Sequence, residues 1–154
     1  MSEIECRKIF ESAIDSLCEV DRYLLRVDAS ERSISHRLAV HLTSRFPDFD
    51  VDCEYNRAGF EVKRLALRER TVRDYELEAV TVFPDIVVHK RGNNEFNLLV
   101  AEMKKSSSNV SHDYDFEKLR AFVREFGYKN SVHCTIGYDR NGTLIRDIRW
   151  IGAE

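Results

Sequence analysis

The stretch Phe83-Pro84-Asp85-Ile86-Val87-Val88-His89-Lys90-Arg91-Gly92-Asn93-Asn94-Glu95-Phe96-Asn97-Leu98-Leu99-Val100-Ala101-Glu102-Met103-Lys104-Lys105 decides the fold. Two apolar runs, Asp85 to His89 and Asn97 to Met103, flank a polar segment from Arg91 to Phe96 that holds glycine and paired asparagines, which is the pattern of a β-hairpin. A turn centred on Asn93-Asn94 sets Val87 opposite Val100 and Asp85 opposite Glu102. Period two then puts Leu98, Val100, Glu102 and Lys104 on one face of the second strand and Leu99, Ala101 and Met103 on the other. Both faces are apolar as far as Glu102, so the spacing predicts a central strand covered on two sides whose last residues emerge into a cleft.

Upstream, residues 3 to 25 carry Ile9, Phe10, Ala13, Ile14 and Leu17 at helical spacing and predict an N-terminal amphipathic helix. A second helix follows Ser30 as N-cap, with Ile34, Leu38, Leu42 and Phe46 on one stripe and Pro47 marking its end. Asp50 to Arg57 alternates Val51, Cys53 and Tyr55 with polar residues, a half-buried strand by period. Residues 58 to 82 mix strand-like alternation with good helix formers and fit neither pattern. Downstream of the hairpin, Phe116, Leu119, Phe122, Val123 and Phe126 predict a helix closed by Gly127. Ser131 to Tyr138 reads as a strand, Asp139 to Gly142 as a turn, and Ile145 to Ile151 as an edge strand. This order predicts an α/β fold, a central mixed sheet flanked by helices.

The chain has 154 residues, enough for one core that buries roughly 68–70% of the unfolded surface. A single domain over residues 1–154 is expected. Its 27 acids and 24 Lys and Arg give a formal charge of -3, which offers no broad attraction to a polyanion. No apolar run approaches the roughly 18 residues of a membrane span, and the first residues lack the apolar core of a secretory signal, so the expected location is the cytoplasm. Four scattered cysteines without a C-x-x-C pair read as small core residues of a reduced protein. The five histidines lack zinc-ligand spacing.

The hairpin brings the chemistry together. Directly opposed strand residues have Cβ atoms roughly 4.5–5.5 Å apart, and like charges in that relation are destabilising. Asp85 and Glu102 therefore call for a cation between them. Mg²⁺ or Mn²⁺ suits them, because a hard divalent ion takes one or two protein carboxylates and completes its shell with water and substrate phosphate. Lys104, on the same face as Glu102, adds an ammonium that can stabilise phosphate charge or orient an attacking water. These are parts for phosphodiester hydrolysis.

In PDIVVH and NLLVAEMKK, placed in this order of elements, the chain resembles the PD-(D/E)xK phosphodiesterases, nucleases with the restriction-endonuclease-like fold, over about Ser30 to Tyr138. The resemblance implies an αβββαβ core with an extra N-terminal helix. It implies catalytic roles for Glu31, Asp85, Glu102 and Lys104, a metal site of Asp85, Glu102 and the Met103 carbonyl, and Lys118 facing the same cleft. It also implies a nucleic-acid substrate, DNA in preference to RNA. Cutting both strands of a duplex calls for two sites, which makes a homodimer an expectation.

Each of these residues has a plainer reading. Pro84-Asp85 alone is an ordinary strand opening; Glu102 and Lys104 are a strand end turning polar; Glu31 is an acid in a helix's first turn, favoured by the dipole; Lys118 is a solvated helix charge. The register that unites Asp85, Glu102 and Lys104 points beyond them. Arg57, Lys63, Arg64, Arg68, Arg70 and Arg73 outnumber Glu61 and Glu69 in the intervening segment. Lys63, Arg64, Arg68 and Arg70 are accordingly candidates for tracking a phosphate backbone, against a solvated charged segment. His112, Asp113 and Asp115 read as a polar loop and helix cap. The competing function is a binding module of the same fold in a defence or repair assembly, with carboxylates that no longer support turnover.

Overall fold

The computed structural model describes residues 1–55, 57–58, 61–62, 64–66, 79–81 and 83–152. Helices α1 (Glu3–Val20), α2 (Arg22–Arg26) and α3 (Glu31–Arg45) lead into strand β1 (Asp50–Cys53). Four short strands follow: β2 (Arg57–Ala58), β3 (Glu61–Val62), β4 (Arg64–Ala66) and β5 (Ala79–Thr81). The remainder is β6 (Ile86–His89), a 3₁₀ turn (Asn94–Phe96), β7 (Leu99–Lys105), α4 (Asp113–Phe126), β8 (Asn130–Tyr138) and β9 (Leu144–Trp150). The main sheet has the order β1-β6-β7-β8-β9; β7 and β8 are parallel and every other pair is antiparallel. Strands β2 with β3 and β4 with β5 form two small separate ladders.

Helices cover both faces of the sheet, and strand parity assigns the residues to them. Ile86, Val88, Leu99, Ala101, Met103, Val132, Cys134 and Ile136 pack against Phe10, Ile14, Leu17, Leu38 and Leu42 of α1 and α3. Val87 and Val100 face the other way, onto Leu119 and Phe122 of α4 and Tyr128 beyond it. All but the last two residues of β7 are buried, which is the two-sided burial its apolar run implied. No helix among the described residues is long and apolar enough to cross a membrane.

Several expectations need correction. The N-terminal helix is two helices, broken at Asp21, where the side chain is taken by Arg37 Nε at 2.9 Å and His41 Nε2 at 2.6 Å. Pairing with α3 thus outweighs continuation of the helix. The hairpin register is as expected, with Val87 opposite Val100, but the reversal comes earlier than Asn93-Asn94. Asn93 N–H donates to Lys90 O at 3.2 Å around Gly92, whose φ of +76° suits glycine, and the 3₁₀ turn fills the remaining length. β1 ends at Cys53, and Cys53 is exposed, unlike buried Cys6 and Cys134. Ser30 does cap α3, accepting from Ser33 N–H at 3.2 Å, and Gly127 closes α4 with φ +66°.

Of the phosphate-tracking candidates, Lys63, Arg68 and Arg70 lie outside the described residues. Arg64 is in β4, paired through its backbone with Thr81. β9 is one edge of the described sheet and presents Arg146, Asp147 and Arg149 among its apolar residues; Arg146 pairs with Asp15, and Arg149 Nε with Asp147 at 2.7 Å.

Candidate active site

Strand β7 carries Glu102 and Lys104 on the α4 side, because they share the parity of Val100. Asp85 immediately precedes β6, and its carboxylate is anchored by the chain next door: Met103 N–H donates to Asp85 Oδ2 at 2.7 Å. The paired strands run Ile86 opposite Ala101, so the next step of the ladder sets Asp85 beside Glu102. Both carboxyl groups are pushed above the usual carboxylate range. For Glu102, 3% exposed, the causes are burial first and the Asp85 charge second. For Asp85, burial outweighs the Met103 amide and the Lys118 charge. Two acids in one desolvated place hold their protons harder than either would alone.

Helix α4 answers Glu102 and Lys104 of β7 each with an opposite charge. Lys118 Nζ lies 2.9 Å from Glu102 Oε1, and one turn earlier Asp115 Oδ2 lies 3.0 Å from Lys104 Nζ. Spacing explains the match: residues three apart on a helix and two apart on a strand point the same way. Lys118, 8% exposed, loses charge stability to burial, yet the neighbouring Glu102, Asp85 and Asp115 raise its pKa. Asp115, 7% exposed, is raised by burial, but hydrogen bonds from His133 and Lys104 bring it below the ordinary range. His133 Nε2 is 3.4 Å from Asp115 Oδ2, and its ring lies against His112 and Phe116. The Lys118 ammonium is at ion-pair distance from Glu102 Oε1 but is not aligned as a hydrogen bond, which leaves that buried oxygen without a hydrogen-bond partner among the described residues.

Glu31 enters from the opposite layer. At the first turn of α3 its Oε2 accepts from Lys105 N–H at 2.9 Å, at the end of β7. Lys105 itself turns away to Asp28, Nζ to Oδ1 3.3 Å. Glu31 and Asp85 both line one cavity, at the junction of α3 with β1.

The structure thus gathers Asp85, Glu102, Lys104 and Lys118 at the end of the two central strands, with Glu31 at the margin. Lys118 is buried and paired there, not a solvated charge. The Met103 amide is engaged by Asp85. Asp115 is neither loop nor cap: it is buried within α4 and bound to Lys104, so sequence reasoning missed it together with His133. A signal for Asp115 was present, since Asp115, Lys118, Leu119 and Phe122 form one helical stripe and charges on an apolar stripe need partners. None existed for His133, which reaches the site through the β7 and β8 register.

Among the described residues, no group of three or more His, Cys, Asp and Glu side chains is arranged to hold a metal. Two carboxylates, one with an unpartnered buried oxygen, nevertheless fit the donor chemistry of Mg²⁺, which uses few protein ligands. The chain matches no protein-family model, no curated protein and no solved structure.

Proposed function

We propose that this protein is a metal-dependent phosphodiesterase acting on nucleic acid, with a PD-(D/E)xK-type site on a restriction-endonuclease-like core. The observation that carries the reading is the pair Asp85 and Glu102, desolvated side by side at the end of the central strands, with Lys104 following on the same face. α3, β1, β6, β7, α4 and β8 supply a core in the αβββαβ order.

Asp85 and Glu102 would hold Mg²⁺ or Mn²⁺, with Met103 O as a further ligand; when bound, the ion lowers the pKa of water and neutralises phosphate charge. Lys104 places its ammonium beside the scissile phosphate, where it stabilises charge that develops as water attacks phosphorus and the ester P–O bond breaks. Asp115 fixes where that ammonium sits. Glu31 holds the end of β7 through Lys105 N–H and adds a third carboxylate near the water's approach. Lys118 opposes the rise that burial and Asp85 impose on the Glu102 pKa, and it would share that carboxylate with a bound ion.

The test is release of fragments from labelled DNA and RNA in Mg²⁺ or Mn²⁺ by the wild type, Asp85→Ala and Lys104→Ala. Cleavage by the wild type alone supports the reading, and equal cleavage by all three refutes it. The internal pairing of Glu102 with Lys118 and of Lys104 with Asp115 favours a second reading, a binding module whose site is neutralised from within. Calorimetry decides between them: Mn²⁺ binding that Asp85→Ala removes belongs to the enzyme, whereas nucleic-acid binding without metal affinity belongs to the module.

A further inference from the structure

A cavity of about 770 Å³ opens beside Asp85, between α3 and the end of β1. It falls in the range of roughly 300–1,000 Å³ typical of small-ligand sites. Leu24 and Cys53 give it an apolar wall, and Arg32 and His36, one turn apart on α3, stand on its rim. Within that lining, Ser35 is 5% exposed and its Oγ has no hydrogen-bond partner among the described residues. A serine inside a helix commonly bonds back to the carbonyl four residues earlier, as Thr43 Oγ1 does to Ala39 O at 2.8 Å. Ser35 does not, so among the described residues its buried hydroxyl is unpaired and free to turn toward a ligand in the cavity. Among the described residues Arg32 is held by Glu54 at 3.1 Å, with its side chain 82% exposed, a pairing that a phosphate can replace at little expense.

We propose that this cavity takes one unstacked nucleotide of a single strand, adjacent to the phosphate presented at Asp85. The base and sugar lie against Leu24 and Cys53, Ser35 hydrogen-bonds the buried edge, and Arg32 and His36 meet the neighbouring backbone phosphate. The inference rests on the phosphodiesterase reading and sharpens it to substrate form. A base within a stacked duplex cannot occupy the cavity unless it is extruded, whereas a single strand, flap or frayed end offers one freely. The protein is thereby a single-strand reader, with α3 as the strand's guide.

The position of Cys53 makes this measurable without turnover. In EDTA, the wild-type protein is treated with N-ethylmaleimide alone, with an oligothymidylate strand, or with a blunt hairpin duplex of equal length, and Cys53 labelling is followed by peptide mass spectrometry. The expected result is slower labelling by about tenfold with the single strand and little change with the duplex, as a strand concentration about ten times the Kd would give. Arg32→Ala with His36→Ala, both exposed positions, should remove the protection, leave the unfolding midpoint unchanged, and reduce the salt dependence of strand binding by about one contact's slope. Equal protection by both nucleic acids overturns the strand preference. Absence of protection in a protein that cleaves nucleic acid overturns the cavity assignment and leaves the hydrolase standing. Protection without cleavage in Mg²⁺ or Mn²⁺ leaves the cavity and removes the hydrolase.

Discussion

Replacing Lys118 by Met isolates the electrostatics of the site, because methionine keeps the unbranched shape and discards the charge. In the wild type this ammonium lies 2.9 Å from a carboxylate that is almost wholly buried, with side-chain exposures of 10% and 3%. Removing one member of such a pair costs about 3–5 kcal/mol when the other stays ionised. For a chain of this length that lowers the unfolding midpoint by about 6–20 °C. Glu102 has one escape, which is to take up a proton. Its pKa already stands well above the ordinary value through burial and the Asp85 charge, and Lys118 opposes that rise. A carboxyl with a folded pKa above its unfolded value of about 4.3 gives its full stabilisation below that unfolded value and loses it as pH rises through the folded one. The Lys118→Met defect should therefore be smaller at acid pH and grow as pH rises. The single tryptophan, Trp150, reports unfolding by fluorescence from its edge-on contact with Phe10 at 5.6 Å. Adding Glu102→Gln to Lys118→Met should restore most of the loss at higher pH. An equal defect at acid and at higher pH, or a double variant no more stable than the single one, would refute the reasoning.

Asp115→Asn should destabilise the fold by about 1–3 kcal/mol near neutral pH, since a charged acceptor serving Lys104 and His133 is lost. Because the Asp115 pKa is depressed, its contribution is present above the unfolded carboxyl value and is lost as pH falls through the folded one; urea unfolding at neutral and strongly acid pH should show the gap closing. Gly137→Ala would place a Cβ 2.1 Å from Ser106 Oγ and 3.2 Å from Ser106 Cβ, at the end of the β7 and β8 pairing. The crowding should cost about 1–3 kcal/mol in thermal unfolding, and Ser106→Gly should relieve it.

The fold was legible where burial and period agree. PDIVVH and NLLVAEMKK announce two central strands because both faces are apolar, and the register of Val87 with Val100 follows from parity, even though the turn lies elsewhere. A register tied to buried faces survives a misplaced turn, because slipping by one residue would expose every core side chain. The break at Asp21 was not legible: its cause is a contact with Arg37 and His41, distant in sequence. The same divide runs through the site. Asp85, Glu102 and Lys104 are linked by one hairpin, hence by local arithmetic. Asp115 and Lys118 meet them only once α4 has crossed over the sheet, and Glu31 arrives from the layer beyond.

The alternating charges of β9 bear on assembly. An edge strand offers its free backbone groups to any similar strand, and charged side chains such as Arg146, Asp147 and Arg149 along it discourage that pairing. The sheet is thereby blunted at β9 against edge-to-edge addition of a further strand.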